Sequence, residues 1–471
     1  MTVEVGPPAA RAAADSRIDR IYELQRRAQP RVAATDAGQR IQKIRRLHDA
    51  VMSRRDEIRA ALSDDYGKPA EEVDLSEIFP VLGEARHAMR RLRKWMKPQR
   101  VAAPVSLFGT RSRIFHEAKG VVLIISPWNF PVNLTFGPVI SAIAAGNCVI
   151  AKPSEMTPHT SACMKRIVAD LFDEGEVAVI EGDAAVAQEL LRKKFDHIFF
   201  TGSPRVGRVV MKAAAEHLTS VTLELGGKSP VIVDRTADLD EAAKKIAWGK
   251  SLNSGQVCIA PDYLLVDEAV REPFIAKLRS AMASMGDETR GVLVHDGHAL
   301  SMRRLFDDAL LQGAEVLSGG ASKGRQFQPT LLTNVNSESA IMQQEIFGPL
   351  LPLMTYRNLD DALQIVARGE KPLVLYVFSR DRGVVQRVIA GTSAGGTVVN
   401  DTLVHFYQLN LPFGGVGQSG IGKAHGRFGF EAFSNARGVL EQPTKFSMIQ
   451  MLYPPYTAFK RRLIDFTLKY L

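Results

Sequence analysis

Cysteine is scarce: Cys148, Cys163 and Cys258 are the three thiols in a chain of 471 residues, and none stands in a paired or CxxC spacing. That count argues against a disulfide framework and against a thiolate metal site, so no metal is expected. It points to a reducing compartment in which each thiol has to be judged alone. No run of about 18 apolar residues occurs, which excludes a conventional membrane-spanning helix. The amino terminus, MTVEVGPPAARAAADSRIDR, carries Glu4 and Asp15 and lacks an apolar h-region. It reads neither as a secretory signal nor as a transit peptide, and a cytoplasmic location is expected. Internal repeats and low-complexity tracts are also missing, and with 45% hydrophobic and 24% charged residues the composition is that of a globular protein rather than of a disordered or fibrous one.

What is present begins with length. At 471 residues the chain exceeds what one hydrophobic core supports, so two or three domains are expected. Formal charge is +9, and the sharpest basic cluster is RRLRKWMKPQR at 90–100. A polyanion contact is one reading of it. The same stretch, however, closes a helical pattern whose apolar positions are Leu75, Ile78, Phe79, Leu82, Met89 and Leu92. Glu71, Glu72 and Asp74 open that helix and arginines close it, the order that suits a helix dipole, so a solvated helix end is favoured and no nucleic-acid partner is expected.

Residues 17–65 read as polar helices. From about 119 the pattern changes to short apolar runs alternating with helices: GVVLIISP, CVIAKPS, VAVIEGD, HIFFTGS and SVTLELG are strands, separated by segments such as NLTFGPVISAIAAG and PRVGRVVMKAAAEHL. Alternation of this kind predicts parallel βαβ units and a doubly wound sheet. It restarts past Gly227 with SPVIVD, YLLVD, QPTLLTNV, LLPLMTY, VLYVFSR and GTVVND, hence a second α/β domain with its boundary near ELGGK.

Two glycine motifs are set aside. GVGQSG at 415–420 matches a dinucleotide fingerprint but follows LNLPFGG instead of a strand, and GGKS at 226–229 has Thr222 where a Walker A loop needs glycine. FFTGSPRVG at 199–207 is a better candidate. A strand ends, Gly202 and Ser203 turn the chain, and Pro204 opens a helix whose free N–H groups suit a pyrophosphate, although any strand–turn–helix needs small residues there. Among the thiols, Cys148 lies in a buried strand and Cys163 on a helix, both readable as small core residues. Cys258 sits in NSGQVCIAP, a loop of turn formers, where a thiol has access to substrate, but a loop thiol is by itself as readily inert.

The motifs PWNFP (127–131), KPSE (152–155), FTGS (200–203), LELGGKSP (223–230), GQVC (255–258), EIFGP (345–349) and LPFGGVGQSG (411–420) settle the choice by their order and spacing. Together they resemble the NAD(P)-dependent aldehyde dehydrogenase superfamily over about residues 17–440. PWNFPVNLT, VCIAPDY and NDTLVHFYQLNLPFGG are similar to its class 3 branch, which includes coniferyl-aldehyde and fatty-aldehyde enzymes. The resemblance implies that Cys258 is the nucleophile, Glu224 the general base, and the Asn129 amide with the Cys258 backbone N–H the oxyanion donors. It assigns Lys152 and Glu155 to the adenosine ribose, Gly202 and Ser203 to the pyrophosphate, Glu345 to the nicotinamide ribose and Phe347 to packing near the nicotinamide, with Ser126, Trp128 and Gly207 in the same cofactor set. Without the motifs Glu224 reads as a surface or ion-paired carboxylate, Lys152 as a strand-end lysine and Phe347 as a core aromatic. A carboxylate at 155 repels a 2′-phosphate, so NAD is expected over NADP, with NADP possible. One departure from the pattern is Gln344, where the superfamily often has an acid.

The fold implied is aldehyde dehydrogenase-like: two doubly wound α/β domains, a Rossmann-like cofactor domain and a catalytic domain, with a small β bridging and oligomerisation element. Residues 1–98 and 119–225 form the NAD(P)-binding domain, 226–400 the catalytic domain, 99–118 and 401–445 the bridging element that joins a homodimer, and 446–471 an amphipathic C-terminal tail. In that tail Phe459, Leu463, Phe466 and Tyr470 make one apolar stripe beside Lys460, Arg461 and Arg462. Packing on the protein's own body or a partner subunit is favoured over weak contact with a membrane surface. The expected reaction is oxidation of an aromatic aldehyde such as coniferaldehyde, or of a medium- or long-chain aliphatic one, to the acid, with HFYQLN (405–410) at the substrate entrance. An acyl-CoA-forming enzyme, an NAD-independent thiol esterase and an inactive binding protein are the alternatives.

Overall fold

The computed structural model describes residues 8–286, 292–445 and 447–470. Glu4 and the rest of the first seven residues, and Phe446 and Leu471 of the tail, lie outside them. Three helices lead, α1 (Pro8–Ala33), α2 (Ala37–Ser53) and α3 (Arg55–Tyr66). A capping box opens α2: Asp36 accepts the Gln39 N–H and Gln39 accepts the Asp36 N–H, both at 2.9 Å. Ile44, Leu47 and Val51 then form its buried stripe at helical spacing.

α4 (Ala70–Val73), a π-helical turn (Asp74–Ile78) and α5 (Phe79–Trp95) run on continuously. Here the expected apolar stripe needs correction. Ile78, Leu82 and Leu92 are buried as anticipated, but Leu75 and Phe79 are exposed, and Glu77 is turned inward in their place. The π turn is the cause: one extra residue per turn rotates the face that meets the core.

Strands β1 (Gln99–Val101) and β2 (Arg111–Ala118) pair with Ser434–Glu441 in a three-stranded antiparallel sheet. The predicted alternation follows as β3 (Val121–Ile125), α6 (Pro131–Ala145), β4 (Cys148–Lys152), α7 (Pro158–Leu171), β5 (Val177–Val179), α8 (Ala184–Leu191), β6 (His197–Gly202), α9 (Pro204–Ala215) and β7 (Ser220–Leu225). These strands lie parallel in the order β5, β4, β3, β6, β7, with Gly420–Ile421 antiparallel on β7. β3 and β4 are buried throughout because helices cover both faces: α2, α5, α6 and α7 on one side, α1, α8 and α9 on the other. Strand order reverses between β3 and β6, so their carboxyl ends open a crevice at a topological switch point.

The chain leaves this sheet at Leu225 and enters the second at Pro230. That sheet runs Glu315–Ser318, Thr330–Thr333, Leu350–Tyr356, Tyr263–Asp267, Pro230–Val233, Val374–Phe378, Gly396–Val399, and is parallel except at its first pair. Two of its helices, α10 (Leu239–Ser251) and α11 (Arg271–Ser284), follow the sequence pattern; α12 (Asp296–Leu311) does not, because Ala299, Met302, Leu305 and Ala309 make a thin buried stripe among charged residues. The tail forms a helix over Ala458–Tyr470 with no buried residue; of its apolar stripe Phe459, Phe466 and Tyr470 are exposed and Leu463 is half-buried. No helix among the described residues is long and apolar enough to cross a membrane.

Candidate active site

Beyond α10 the chain turns through three consecutive left-handed residues, Asn253, Ser254 and Gly255, at φ of 49°, 57° and 71°. Such a run is costly for residues with a Cβ. Glycine is required at 255, since a Cβ there would lie 2.3 Å from the Gly348 carbonyl oxygen. Fully buried Gln256 holds the turn. Its amide donates to the Asn253 carbonyl at 3.0 Å, and its Oε1 accepts the Val294 N–H at 3.0 Å. Its own carbonyl receives the side-chain amides of Asn129 at 3.0 Å and Asn253 at 3.2 Å. Cys258 follows two residues on and is partly exposed, whereas Cys148 and Cys163 are buried.

A buried polar cluster fixes the facing loop. The Asn129 carbonyl accepts from Tyr66 Oη at 3.0 Å, Asn253 Nδ2 at 2.9 Å and Lys68 Nζ at 3.5 Å. Lys68 pairs with Glu77 at 2.8 Å, the side chains being 1% and 0% exposed, and its ammonium lies 4.2 Å from the Phe130 ring centre. The second Glu77 oxygen accepts the N–H groups of Val132 at 3.1 Å and Asn133 at 3.0 Å, in the first turn of α6. Those donors have no partner inside the helix, and the helix dipole favours an anion there. Burial raises the Glu77 carboxyl, opposed by Lys68 and these amides. Glu72 accepts the Asn253 N–H at 2.9 Å, so the π-containing helix grips both loops.

Two cavities meet at Cys258. The larger, about 270 Å³, opens at the ends of β3 and β6 and is lined by Trp128, Asn129, Gly202, Ser203, Glu345 and Phe347. An apolar one of about 120 Å³ is walled by Phe79, Phe406, Tyr407 and Phe413. Leu134, Thr201, Glu224, Leu225 and Cys258 line both. Four residues of the expected cofactor set are not on these walls. Ser126 is engaged by Thr135 through their hydroxyls at 2.6 Å, and Gly207 faces Leu225, whose Cδ2 would lie 2.8 Å from a Cβ, so that glycine serves helix–strand packing. Lys152 and Glu155 pair with each other at 2.7 Å at the end of β4, outside the larger cavity. Sequence reasoning missed His298, which donates to the Phe347 carbonyl at 2.9 Å and lies edge-on to Trp128. It comes from α12, whose pattern carried no signal.

Burial raises both carboxyl groups that line the larger cavity. Burial raises Glu224 well above the carboxylate range, opposed by Lys423, and neither of its oxygens has a partner among the protein's own groups. Gly414, at φ of 141°, makes room for it, since a Cβ there would lie 2.7 Å from Glu224 Oε1. Glu345 is pushed up to about 8 by burial and by Asp262, and one of its oxygens is likewise without a partner. Burial, then Glu345 and Glu224, raise the Cys258 thiol. The larger cavity fits a dinucleotide: a free carboxylate oxygen suits ribose hydroxyls, α9 presents its amino end with Ser203 as its cap, and Trp128 and Phe347 meet edge-on at 5.4 Å as an aromatic wall.

A doubly wound sheet with a crevice at its switch point, joined by a second sheet that brings a thiol to that crevice, defines a dinucleotide-dependent oxidoreductase. Comparison with known proteins makes the class specific. The model of the Aldehyde dehydrogenase family matches residues 8–439, and the chain belongs to that family. It is 40% identical to a Pseudomonas aeruginosa protein named "Probable coniferyl aldehyde dehydrogenase", covering 95% of this chain and 96% of that one. It is 41% identical to the "Aldehyde dehydrogenase, dimeric NADP-preferring" of Rattus norvegicus, covering 85% and 89%. The solved substrate-bound state of Staphylococcus aureus AldH superposes with a TM-score of 0.91 at 39% identity, covering 96% and 99%. The protein is an NAD(P)-dependent aldehyde dehydrogenase similar to class 3 enzymes.

Because Lys68 and Glu77 are wholly buried, removing one partner strands the other's charge. Glu77→Leu is expected to destabilise the protein by about 3 to 5 kcal/mol. A urea melt should show a correspondingly lower midpoint, and an unchanged midpoint would contradict the network.

Proposed function

We propose that Cys258, Glu224 and Asn129 carry out the oxidation of an aldehyde held in the apolar cavity. The carrying observation is that Cys258 and Glu224 line both cavities, so one thiol reaches an aldehyde on one side and a dinucleotide on the other. Cys258 Sγ, as thiolate, attacks the carbonyl carbon. One Asn129 N–H is held by the Gln256 carbonyl, which orients the amide and leaves its second N–H for the developing oxyanion, alongside the Cys258 backbone N–H. A dinucleotide in the larger cavity would be held by Trp128, Gly202, Ser203, Glu345 and Phe347, with Lys152 and Glu155 outside that cavity toward the adenosine ribose, and would supply the acceptor for the hydride that the Cys258 thiohemiacetal gives up on becoming a thioester. Glu224 then takes a proton from water; the water oxygen bonds to the acyl carbon, the C–S bond breaks, and the acid leaves as the thiol is restored.

The substrate reading is a bulky aryl or medium- to long-chain aldehyde, supported by the aromatic walls and by Phe406 and Tyr407 of the HFYQLN loop. NAD is read as the preferred dinucleotide because the Glu155 carboxylate repels a 2′-phosphate, a repulsion that the paired Lys152 partly offsets. A homodimer is supported by the exposed, unpaired edge of Ser434–Glu441, an eight-residue strand that invites a second copy. A reducing, cytoplasmic setting is supported by three thiols that form no bridge.

Cys258→Ala is expected to abolish NADH formation. Glu224→Gln is expected to give a burst of NADH near one equivalent and then stall on the thioester. Asn129→Ala should lower kcat by about 10² to 10³ with KM little changed. Both Cys258 and Glu224 act deprotonated and both are held above their ordinary values, so kcat/KM should climb through the neutral range into the alkaline; a profile that falls there would contradict these roles. With NADP, Glu155→Gln should raise kcat/KM about fivefold relative to NAD, and a starting preference for NADP would overturn the cofactor reading. Across acetaldehyde, hexanal, decanal, benzaldehyde and coniferaldehyde, followed by NADH absorbance, the larger aldehydes should win; acetaldehyde as best substrate would refute the substrate reading.

A further inference from the structure

Among the described residues, three carboxyl groups have a buried oxygen with no partner among the protein's own groups: Glu84, Glu224 and Glu345. All three line the two joined cavities. Leaving a carboxyl oxygen unpaired in an apolar site is among the most costly arrangements a fold can hold, and Glu224 and Glu345 have ligands to meet in the proposed function. Glu84 has none so far.

Glu84 stands on α5 and lines the apolar cavity alone, away from the junction at Cys258. Its Oε1 accepts the Gly426 N–H at 2.8 Å, the Ser141 hydroxyl lies beside it, and its Oε2 is unpartnered. His425, one residue before Gly426, lines the same cavity and stacks on Phe413 at 4.7 Å with ring planes 6° apart. Its ring meets Phe406 edge-on at 4.5 Å, and its Nδ1 is buried and without a partner. Burial raises the Glu84 carboxyl to about 7, against the Gly426 amide and Ser141, so it can carry a proton near neutrality. Burial and then His405 push the His425 imidazole down to about 4, so it is neutral. An acid O–H and a bare imidazole nitrogen thus share a cavity whose walls include the rings of Phe79, Phe199, Phe406, Tyr407, Phe413 and Phe433.

We propose that Glu84 and His425 form a hydroxyl-reading subsite and that the substrate is a hydroxyaryl aldehyde, its ring between the aromatic walls and its hydroxyl accepting from Glu84 and donating to His425 Nδ1. This rests on the reading of Cys258 as the nucleophile of the same cavity. A substrate lacking the hydroxyl leaves both buried groups unpaired, the situation in which hydrogen-bonding sites discriminate most strongly.

The test compares kcat/KM for 4-hydroxycinnamaldehyde and cinnamaldehyde, read by NADH, in the wild type and in Glu84→Gln, Glu84→Leu and His425→Phe. The wild type is expected to favour the hydroxylated aldehyde by about tenfold or more. Glu84→Gln, which keeps an acceptor for Gly426 and offers an amide donor, should retain that ratio. Glu84→Leu should bring it near one, and so should His425→Phe, which preserves the stack on Phe413; if the leucine variant fails to fold, the phenylalanine variant carries the test. A wild-type ratio near one, as water alone at Glu84 would give, overturns the proposal. So does a ratio kept by Glu84→Leu or His425→Phe, or one lost in Glu84→Gln. Absence of NADH with either aldehyde in the wild type would instead sink the underlying assignment of Cys258.

Discussion

A carboxylate with no exposure is tolerable only if both of its oxygens are paired, and Glu77 meets that condition with one ammonium on one oxygen and two helix-terminal amides on the other. Satisfying it fixes where α6 begins, and therefore where Trp128, Asn129 and Phe130 stand just before it. Lys68, drawn in by the same carboxylate, also reaches the Asn129 carbonyl, on which Tyr66 and Asn253 converge. The separation of the Asn129 loop from the cysteine loop is thus set by hydrogen-bond geometry, which tolerates a few tenths of an ångström, and not by apolar packing, which tolerates more. Chemistry that depends on an oxyanion donor beside a nucleophile needs the tighter tolerance.

The cysteine loop pays for its shape in backbone strain, and the compensation is visible in Gln256. Its side-chain amide, its Oε1 and its backbone carbonyl all bind within or across the loop, so the left-handed turn at 253–255 is over-determined rather than merely permitted. A second anchor serves the segment bearing Glu345. Asp262 accepts the Ile346 N–H at 3.0 Å and pairs with Lys228, which also donates to the Ile341 carbonyl at 2.8 Å. Loops from three separate strand ends are therefore cross-tied by buried polar groups, while the sheets beneath them supply the rigid frame.

The frame was legible because fully buried parallel strands leave continuous apolar runs such as GVVLII and CVIA, which no other element produces so regularly. The site was legible in part. Turn formers at NSGQ placed Cys258 in a loop, and the ordered motifs pointed to Glu224, Asn129, Gly202, Ser203, Trp128, Glu345 and Phe347, which the fold brings to one pair of cavities. Ser126 and Gly207 flank the motifs but face Thr135 and Leu225, a distinction that depends on how the folded chain is turned and leaves no trace in spacing. Leu75 and Phe79 were misplaced because a π turn shifts the helical phase without any residue type that announces it. Glu84, Ser141 and His425 are separated by hundreds of positions or by whole elements, so only the folded chain shows that they share a wall.

Titration alone does not tell the three thiols apart. Burial raises Cys148 and Cys163 to about 12, and it raises Cys258 as well. Reactivity has to come from somewhere else. Cys148 is enclosed in a central strand and Cys163 lies on the core-facing side of α7, both buried. Cys258 alone keeps partial exposure and opens onto two cavities of opposite character, one apolar and one edged by unpaired carboxyl oxygen. Its raised pKa keeps the resting thiol protonated, and a protonated thiol resists oxidation and adventitious alkylation. Nucleophilicity is then confined to the state in which both cavities are filled, because only there does a negative sulfur find a carbon to attack and donors arranged for the charge it passes on.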